Sequence, residues 1–520
     1  MNSTNRYSLF VAIIVALGGF LMGFDASVIS GVVGFIETEF ALTRIQLGWS
    51  VASLTLTATL AMMVAGPISD RFGRRPVLMA AAVLFAISAV YSALAPDFIS
   101  LVIARMIGGF GVGAALIIAP MYIAEIAPPA KRGRMVSFNQ FNIVLGISVA
   151  FFSNYLILRI GQSGLDWAQS LGFDTGAWRW MLGVEALPAV AYFLALFFVP
   201  ESPRWLAMHG RRDEALTVFS RFGDAETARA NLAAVEQSIG EDAVVAKGSL
   251  RELFAPAMRL VLTIGVSIAI LQQITGINSV FFYAPMIFEQ SGVGTDASFM
   301  QAVFVGLVNL VFTVAAMALI DKIGRRPLLG IGLSGIAVSM FLLAYGFGSA
   351  TYTLDADTAD ELPADLDRVA LQRVLDVEYQ SDVEFREGVT GAVGTAAYQQ
   401  HESALVSAAV DLNASLILLA ILAFVASFAI SLGPVMWVLF SELFPNTLRG
   451  LAISFAGLIN SAVSFGVQLV FTWELQNFGS SMTFLIYGVF ALIGLVLMLR
   501  ILPETRGRSL EELEEILVRR

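Results

Sequence analysis

The chain has no cysteine among its 520 residues. That excludes a disulfide framework, a thiolate metal site and a cysteine nucleophile. Histidine is nearly as scarce: His209 and His401 are the only two and lie far apart, so no metal or other cofactor is expected. Charge is thin as well. Only 14% of the residues are Asp, Glu, Lys or Arg, against 57% apolar, whereas a soluble protein carries about 25% charged residues. Too little polar surface remains for a water-soluble globule of this size. A soluble multidomain enzyme, a disordered chain and a nucleic-acid binder are excluded together.

What the chain has in quantity is long apolar runs. Each is long enough to cross a hydrocarbon core of ~30 Å. They predict an all-α membrane protein with twelve spanning helices, near 9–34, 46–68, 77–95, 98–124, 136–158, 179–199, 259–289, 298–320, 328–348, 412–441, 451–471 and 481–502. The first run is too long for a cleavable leader, carries Asp25 and is followed by no small-residue cleavage site. The bases set the orientation. With the N-terminus inside, the cytoplasmic segments hold 24 of the 31 Lys and Arg, the outer segments hold six, and Arg105 lies within a span. Both termini are therefore expected in the cytoplasm, with the chain in a plasma membrane such as a bacterial inner membrane, surrounded by lipid and monomeric.

The sequence repeats itself. DRFGRRP (70–76) returns as DKIGRRP (321–327), Glu125 with Arg132-Gly133 returns as Glu442 with Arg449-Gly450, and PESPR (200–204) returns as PETRG (503–507). The offsets are 251, 317 and 303. Two related six-helix halves follow: an N-terminal bundle (1–200), a cytoplasmic helical linker (201–258), a C-terminal bundle (259–502) and a short tail helix (503–520). The first two offsets differ by 66, which places an insert between 327 and 441. The same region is acidic: 351–411 holds 13 acids and 3 bases, and the rest of the chain holds 28 of each. The whole formal net charge of −10 thus sits in one outward segment, 349–411. Leu366, Ala370, Val374 and Val377 recur at three to four residues and suit a small helical cap over an outer vestibule, its acidic face to water; a solvated spacer is the plainer alternative.

Acids and bases interleave at the inner ends of the helices. Asp70, Arg71, Arg74, Arg75, Glu125, Arg132, Arg134, Glu201 and Arg204 in the first half correspond to Asp321, Arg325, Arg326, Glu442, Arg449 and Glu504 in the second. A lone GRR reads as a topology signal. Its return with matching acids favours ion-pair networks that hold the inner face shut and break when the halves rock apart. Asp25, Arg105 and Glu185 lie within spans of the first half. A charge at that depth costs about 2.5–3.5 kcal/mol and needs a partner. Asp25 and Arg105 suit one another, and protonating Asp25 would weaken the pair and switch between two packings; a static ion pair is the simpler alternative.

The strings GPISDRFGRRP, PMYIAEIAPPAKRGR (120–134), PESPRW (200–205), QQITGIN (272–278), DKIGRRP, GPVMW (433–437), SELFPNTLRG (441–450) and PETRG occur in order on these spans. In them the chain resembles the sugar porter family of the major facilitator superfamily along nearly its whole length. The resemblance implies two six-helix bundles around a central site for a monosaccharide, worked by alternating access, and no enzyme activity. Amides both donate and accept, which suits sugar hydroxyls. By resemblance the contacts are Gln140, Gln272, Gln273, Asn278, Asn309 and Asn460, with Trp437 covering the C–H face of the ring and Phe24, Phe282 and Tyr283 as further lining. Interhelical hydrogen bonding is the plain alternative for each amide. Ser461 stands where relatives often have Trp, which alters the stacking wall. Gly276 and Pro285 in helix 7, and Gly433 and Pro434 in helix 10, mark gates or static kinks. The set Asp25, Arg105 and Glu185 resembles that of bacterial proton-coupled pentose and hexose symporters. It implies sugar–proton symport with the proton as coupling ion, Asp25 as its main site and Glu185 modulating it. A proton-independent carrier and a sugar sensor are the alternatives, and the short tail after PETRG disfavours the sensor.

Overall fold

A computed structural model of the chain describes residues 3–127, 132–222, 225–244, 249–360, 362–445, 448–508 and 512–513. The side chains of 3–6, 132–134, 136, 137, 238–244 and 360 lie outside that description, Arg132 and Arg134 among them, as does most of the expected tail helix.

Hydrocarbon offers no partner to a backbone amide, so the crossing segments close their hydrogen bonds internally as helices. Spans 1 to 6 are Tyr7–Gly31, Arg44–Phe72, Arg74–Ala93, Phe98–Ile126, Phe138–Gln162 and Ala177–Phe198. Spans 7 to 10 are Pro256–Phe282, Gly294–Ile323, Arg325–Gly348 and Ala414–Leu443. The helix Arg449–Ile501 follows, with 53 residues. At 1.5 Å per residue it is roughly 80 Å long, more than twice a hydrocarbon core. It turns at Gly479 (φ 76, ψ 168), so 449–478 is span 11 and 480–501 is span 12. Twelve spans in two halves are the expected architecture.

Three spans are broken, two of them beside a proline. A proline ring clashes with the carbonyl four residues back. In span 10 the helix stops at Ile430, four before Pro434, and resumes at Leu432 after Ser431 (φ −127, ψ −94). In span 6 it stops at Gly183, and Val184 and Glu185 separate it from the segment holding Pro188. Span 7 is interrupted at Gly276 (φ 90), a left-handed conformation that favours glycine, and a further turn at Tyr283 leads into Ala284–Glu289, with Pro285 in its first turn.

The hydrogen bonds and ion pairs joining described residues of the two halves lie from mid-span to the end that carries the insert. Thr55 Oγ1 donates to Gln468 Oε1 (2.9 Å), Thr472 Oγ1 to the Arg44 carbonyl (2.7 Å), and Ser148 Oγ to the Gly306 carbonyl (2.8 Å). Arg159 pairs with Asp296 at 2.9 Å. Span 2 meets span 11 so closely that a Cβ on Gly48 would stand 2.1 Å from the Leu469 carbonyl oxygen. The insert end is shut.

The insert is only in part the helical cap expected, since a small sheet joins its helices. Thr351–Thr353 pairs antiparallel with both Glu378–Tyr379 and Val410–Asp411, forming a three-stranded sheet. Helices Asp382–Val393 and Thr395–Ala409 pack on it around Tyr352, Leu366, Phe385, Val389 and Leu405. Leu366 and Val374 are buried, but Val377 is 39% exposed, because the helix there is one turn, Arg368–Leu371, and Asp376 (φ 57) turns the chain away. The insert rides on the C-terminal half: Asp382 Oδ2 accepts from the Ser480 amide (2.8 Å), Arg386 donates to the Gln476 carbonyl (2.9 Å), and Ser407 to the Gly292 carbonyl (2.8 Å). It reaches the N-terminal half through Glu402, 2.8 Å from Arg44, which also holds Glu37 at 2.9 Å.

Beneath it lies a cavity of about 240 Å³ lined by Phe35, Glu37, Glu289, Phe299, Gln400 and Glu402. Burial pushes the Glu37 carboxyl up to about 7; Arg44 opposes the rise and Glu402 adds to it. Against its own burial, Arg44 and Arg386 hold Glu402 below the usual carboxylate range. A solvated glutamate titrates near 4.5, so between about 4.5 and 7 the closed insert end holds a proton that an open one releases. Closure is therefore favoured as pH falls through 7 and weakened as it rises. Spin labels on cysteines at Ile45 and Ala396 should report shorter distances at pH 6 than at pH 8, and Glu37→Gln should shrink the response, with Glu289 of the same cavity accounting for the remainder. Identical distances at both pH values would refute it.

Candidate functional site

Gln272 and Gln273 end the first helical stretch of span 7, Arg259–Ile274. On an unbroken helix, Asn278 would point ~140° away from Gln273. The break at Gly276 lets its Nδ2 donate to Gln273 Oε1 at 2.8 Å and to Ser464 Oγ at 2.7 Å. Gln273 Nε2 donates to Gln272 Oε1 and Asn460 Oδ1, both at 3.2 Å. Asn460 Nδ2 donates to Gln272 Oε1 (2.8 Å) and the Ala269 carbonyl (2.9 Å). Gln272 Nε2 faces the carbonyls of Leu432 (3.4 Å) and Gly433 (3.5 Å), at the break of span 10. Four of the expected amides thus form one cluster where two broken helices meet span 11.

Two members were not foreseen. Gln468 Nε2 donates to Ser464 Oγ at 2.8 Å, and Thr55 of span 2 donates to Gln468, carrying the network into the other half. Ser464 and Gln468 follow Asn460 at intervals of four, the spacing of one helix face, which was the available signal. Asn309 is buried on span 8 and Gln140 half-buried on span 5; among the described residues no hydrogen bond joins either to the cluster. Trp437 is 46% exposed and meets Phe440 edge-on at 5.9 Å. Phe24, Phe282 and Tyr283 are buried, and the Tyr283 hydroxyl donates to the Gln468 carbonyl at 3.0 Å. Amides that satisfy one another can exchange those bonds for the hydroxyls of a polyol at small net cost.

The second constellation lies in the first half. Asp25 and Arg105 are fully buried, and Arg105 Nη1 donates to Asp25 Oδ1 and to the Asp25 carbonyl (3.0 Å). Glu185, at the break of span 6, is 2% exposed and interacts electrostatically with both. Asp25 Oδ2, Arg105 Nε and Glu185 Oε1 have no hydrogen-bond partner among the described residues. There is little spare room, since a Cβ on Gly108 would stand 2.7 Å from Asp25 Oδ2. One guanidinium stands among two buried carboxylates, so the charges balance when one proton is added.

The Arg-rich end holds two matching networks. Arg74 pairs with Asp70 (2.8 Å) and Glu125 (3.0 Å), while Glu201 accepts from the amides of Arg74 (2.9 Å) and Arg75 (3.3 Å). Arg325 pairs with Asp321 (3.1 Å) and Glu442 (2.7 Å), while Glu504 accepts from the amides of Arg325 and Arg326, both at 3.1 Å. Ser202 caps Glu125 as Thr505 caps Glu442. Among the described residues each set closes within its own half in this state and ties helices of that half together. Arg71 is exposed, over the Phe72 ring. Arg204 is half-buried, and Arg449 donates to the Phe444 carbonyl (3.2 Å) rather than to an acid.

The sequence model of the Sugar (and other) transporter family matches residues 11–358 and 388–517, so the gap falls inside the insert. The arabinose-proton symporter of Bacillus subtilis is 34% identical, over 99% of this chain and 96% of that protein. The D-xylose-proton symporter of Escherichia coli is 33% identical, over 98% and 96%. Among solved structures, the inward-open xylose transporter XylE of E. coli superposes with a TM-score of 0.74 at 32% identity, covering 98% of this chain and 99% of that one. Its partially occluded inward-open form gives 0.73, covering 97% and 100%.

Removing Arg105 strands a buried carboxylate. Arg105→Leu should cost about 3–5 kcal/mol of stability, read as a lowered melting temperature in detergent, and Asp25→Asn added to it should restore part of the loss. An unchanged melting temperature for Arg105→Leu would remove this pair from the stability of the fold.

Proposed function

The chain belongs to the sugar transporter family of the major facilitator superfamily, and from that premise we propose that it imports a monosaccharide together with a proton by alternating access. It is a transporter and not an enzyme. The observation that carries proton coupling is the buried set of Asp25, Arg105 and Glu185, two acids sharing one base with a polar atom left over on each. Protonating Asp25 cancels its charge and releases Arg105 toward Glu185. That changes how spans 1, 4 and 6 hold together, and it couples proton occupancy to which packing is favoured.

The sugar occupies the amide cluster of Gln272, Gln273, Asn278 and Asn460, with Ser464 and Gln468 added to the expected set and with Gln140, Asn309 and Trp437 approaching as the bundles close. Both named symporters take a pentose, arabinose or xylose, so aldopentoses are the first substrates to test. We read both termini as cytoplasmic and the membrane as a plasma membrane, a reading that the distribution of bases supports. The insert end then faces outward, and the closure there is that of an inward-facing carrier, in keeping with the inward-open structures it superposes on. Gly276 and Ser431 are the points at which spans 7 and 10 bend around the sugar.

Vesicles with an imposed pH gradient test the coupling. Asp25→Asn should abolish uphill sugar uptake yet keep counterflow exchange; uphill uptake that survives sinks the assignment. The site is tested separately. Gln273→Ala and Asn460→Ala should each raise KM about fivefold or more, from about 1 kcal/mol per hydrogen bond, with the pH dependence of uptake unchanged. A KM equal to that of the parent would move the sugar elsewhere.

A further inference from the structure

Glu474 belongs to neither constellation. The expected span 451–471 stops short of it, but the helix runs on past it to 478. Its Oε2 accepts a hydrogen bond of 2.7 Å from the hydroxyl of Tyr487 on span 12. Tyr487 is buried, and its ring lies directly against the break in span 7: a Cβ on Gly276 would stand 2.5 Å from Cδ2 and 2.8 Å from Cε2. The same ring stacks on Phe471 at 6.4 Å, and Phe471 meets Tyr283 at 5.2 Å. Segment Ile277–Phe282, which carries Asn278, is therefore backed at both ends by aromatic rings from spans 11 and 12.

A left-handed glycine has no side chain to fix its own path. Here the fixing surface is the Tyr487 ring, and the far end of that ring is held by a carboxylate. A phenol-to-carboxylate bond is among the stronger hydrogen bonds, and more so away from water. We propose that Glu474 is a positioning residue for the sugar site, acting through Tyr487 on the Gly276 break so that Asn278 reaches Gln273 and Ser464. This rests on the reading of the amide cluster as the sugar site.

Equilibrium binding of labelled xylose and arabinose to the purified full-length protein tests it. Tyr487→Phe keeps the ring and loses the hydroxyl, Glu474→Leu loses the acceptor, and Glu474→Gln keeps one. The first two should each weaken binding about fivefold, the scale of one hydrogen bond, at a melting temperature close to the parent's, and Glu474→Gln should bind within about twofold of the parent. In an Asn278→Ala background, Tyr487→Phe should cost less than about twofold, because its route to the sugar is gone. Hydrogen exchange across 277–283 should quicken in Tyr487→Phe. Parent-like binding by Tyr487→Phe, or an undiminished loss in the Asn278→Ala background, overturns the proposal. If the parent binds neither pentose nor glucose, it is the site reading that fails, and unchanged exchange across 277–283 then overturns the hinge role as well.

Discussion

A backbone amide inside hydrocarbon must find its partner within the protein. Unbroken helices meet that demand at no cost in side chains, so each break in this bundle has to be supported by something polar or tightly packed. The breaks are where the chemistry is. Glu185 stands at the break of span 6, beside the Asp25–Arg105 pair. Gln273 and Asn278 flank the break of span 7, and Gln272 faces the carbonyls of Leu432 and Gly433, the first residues after the break of span 10. Proline and glycine thus open the helices at the points where polar groups are wanted, and the neighbouring spans close the account.

Duplication shows in atoms as well as in strings. Asp70, Arg74, Glu125 and Glu201 repeat as Asp321, Arg325, Glu442 and Glu504, with the same partners in the same roles, down to a hydroxyl from the following residue on the central glutamate. Because each network closes on its own half, it stiffens that half as a body. The contacts that join the halves are scattered rather than networked: hydroxyl bonds from Thr55, Ser148 and Thr472, the ion pairs Arg159–Asp296 and Arg44–Glu402, and close helix approach. Dense bonding within bodies and separate contacts between them suit a rocking motion.

Much of this was legible beforehand because a polar residue in an apolar run stands out. The twelve spans, the repeat, the amides of span 7 and the pairing of Asp25 with Arg105 all follow from that contrast. Other features had no such contrast. Ser464 is a small hydroxyl of the kind that membrane helices carry for ordinary packing. Glu474 fell outside a span placed a few residues too short. The partners within the Arg-rich networks were a matter of geometry, since any of several acids could have met any of several bases. The sheet of the insert escaped notice because its strands are two or three residues long, too short for alternation to register.

That small sheet has a topological consequence. Thr351 is paired with Asp411 and Tyr352 with Val410, so the chain leaves span 9 and returns toward span 10 through adjacent strands, their Cα atoms only ~5 Å apart. Measured end to end, the insert has almost no length. The bundle is connected as if by a tight hairpin, and the loop-closure entropy of the long excursion is met inside the insert by its own core. Sequence can drift, lengthen or change charge within it without moving either helix that carries it. Bonded to its own half, the excursion reaches across to the other bundle through the contact of Glu402 with Arg44.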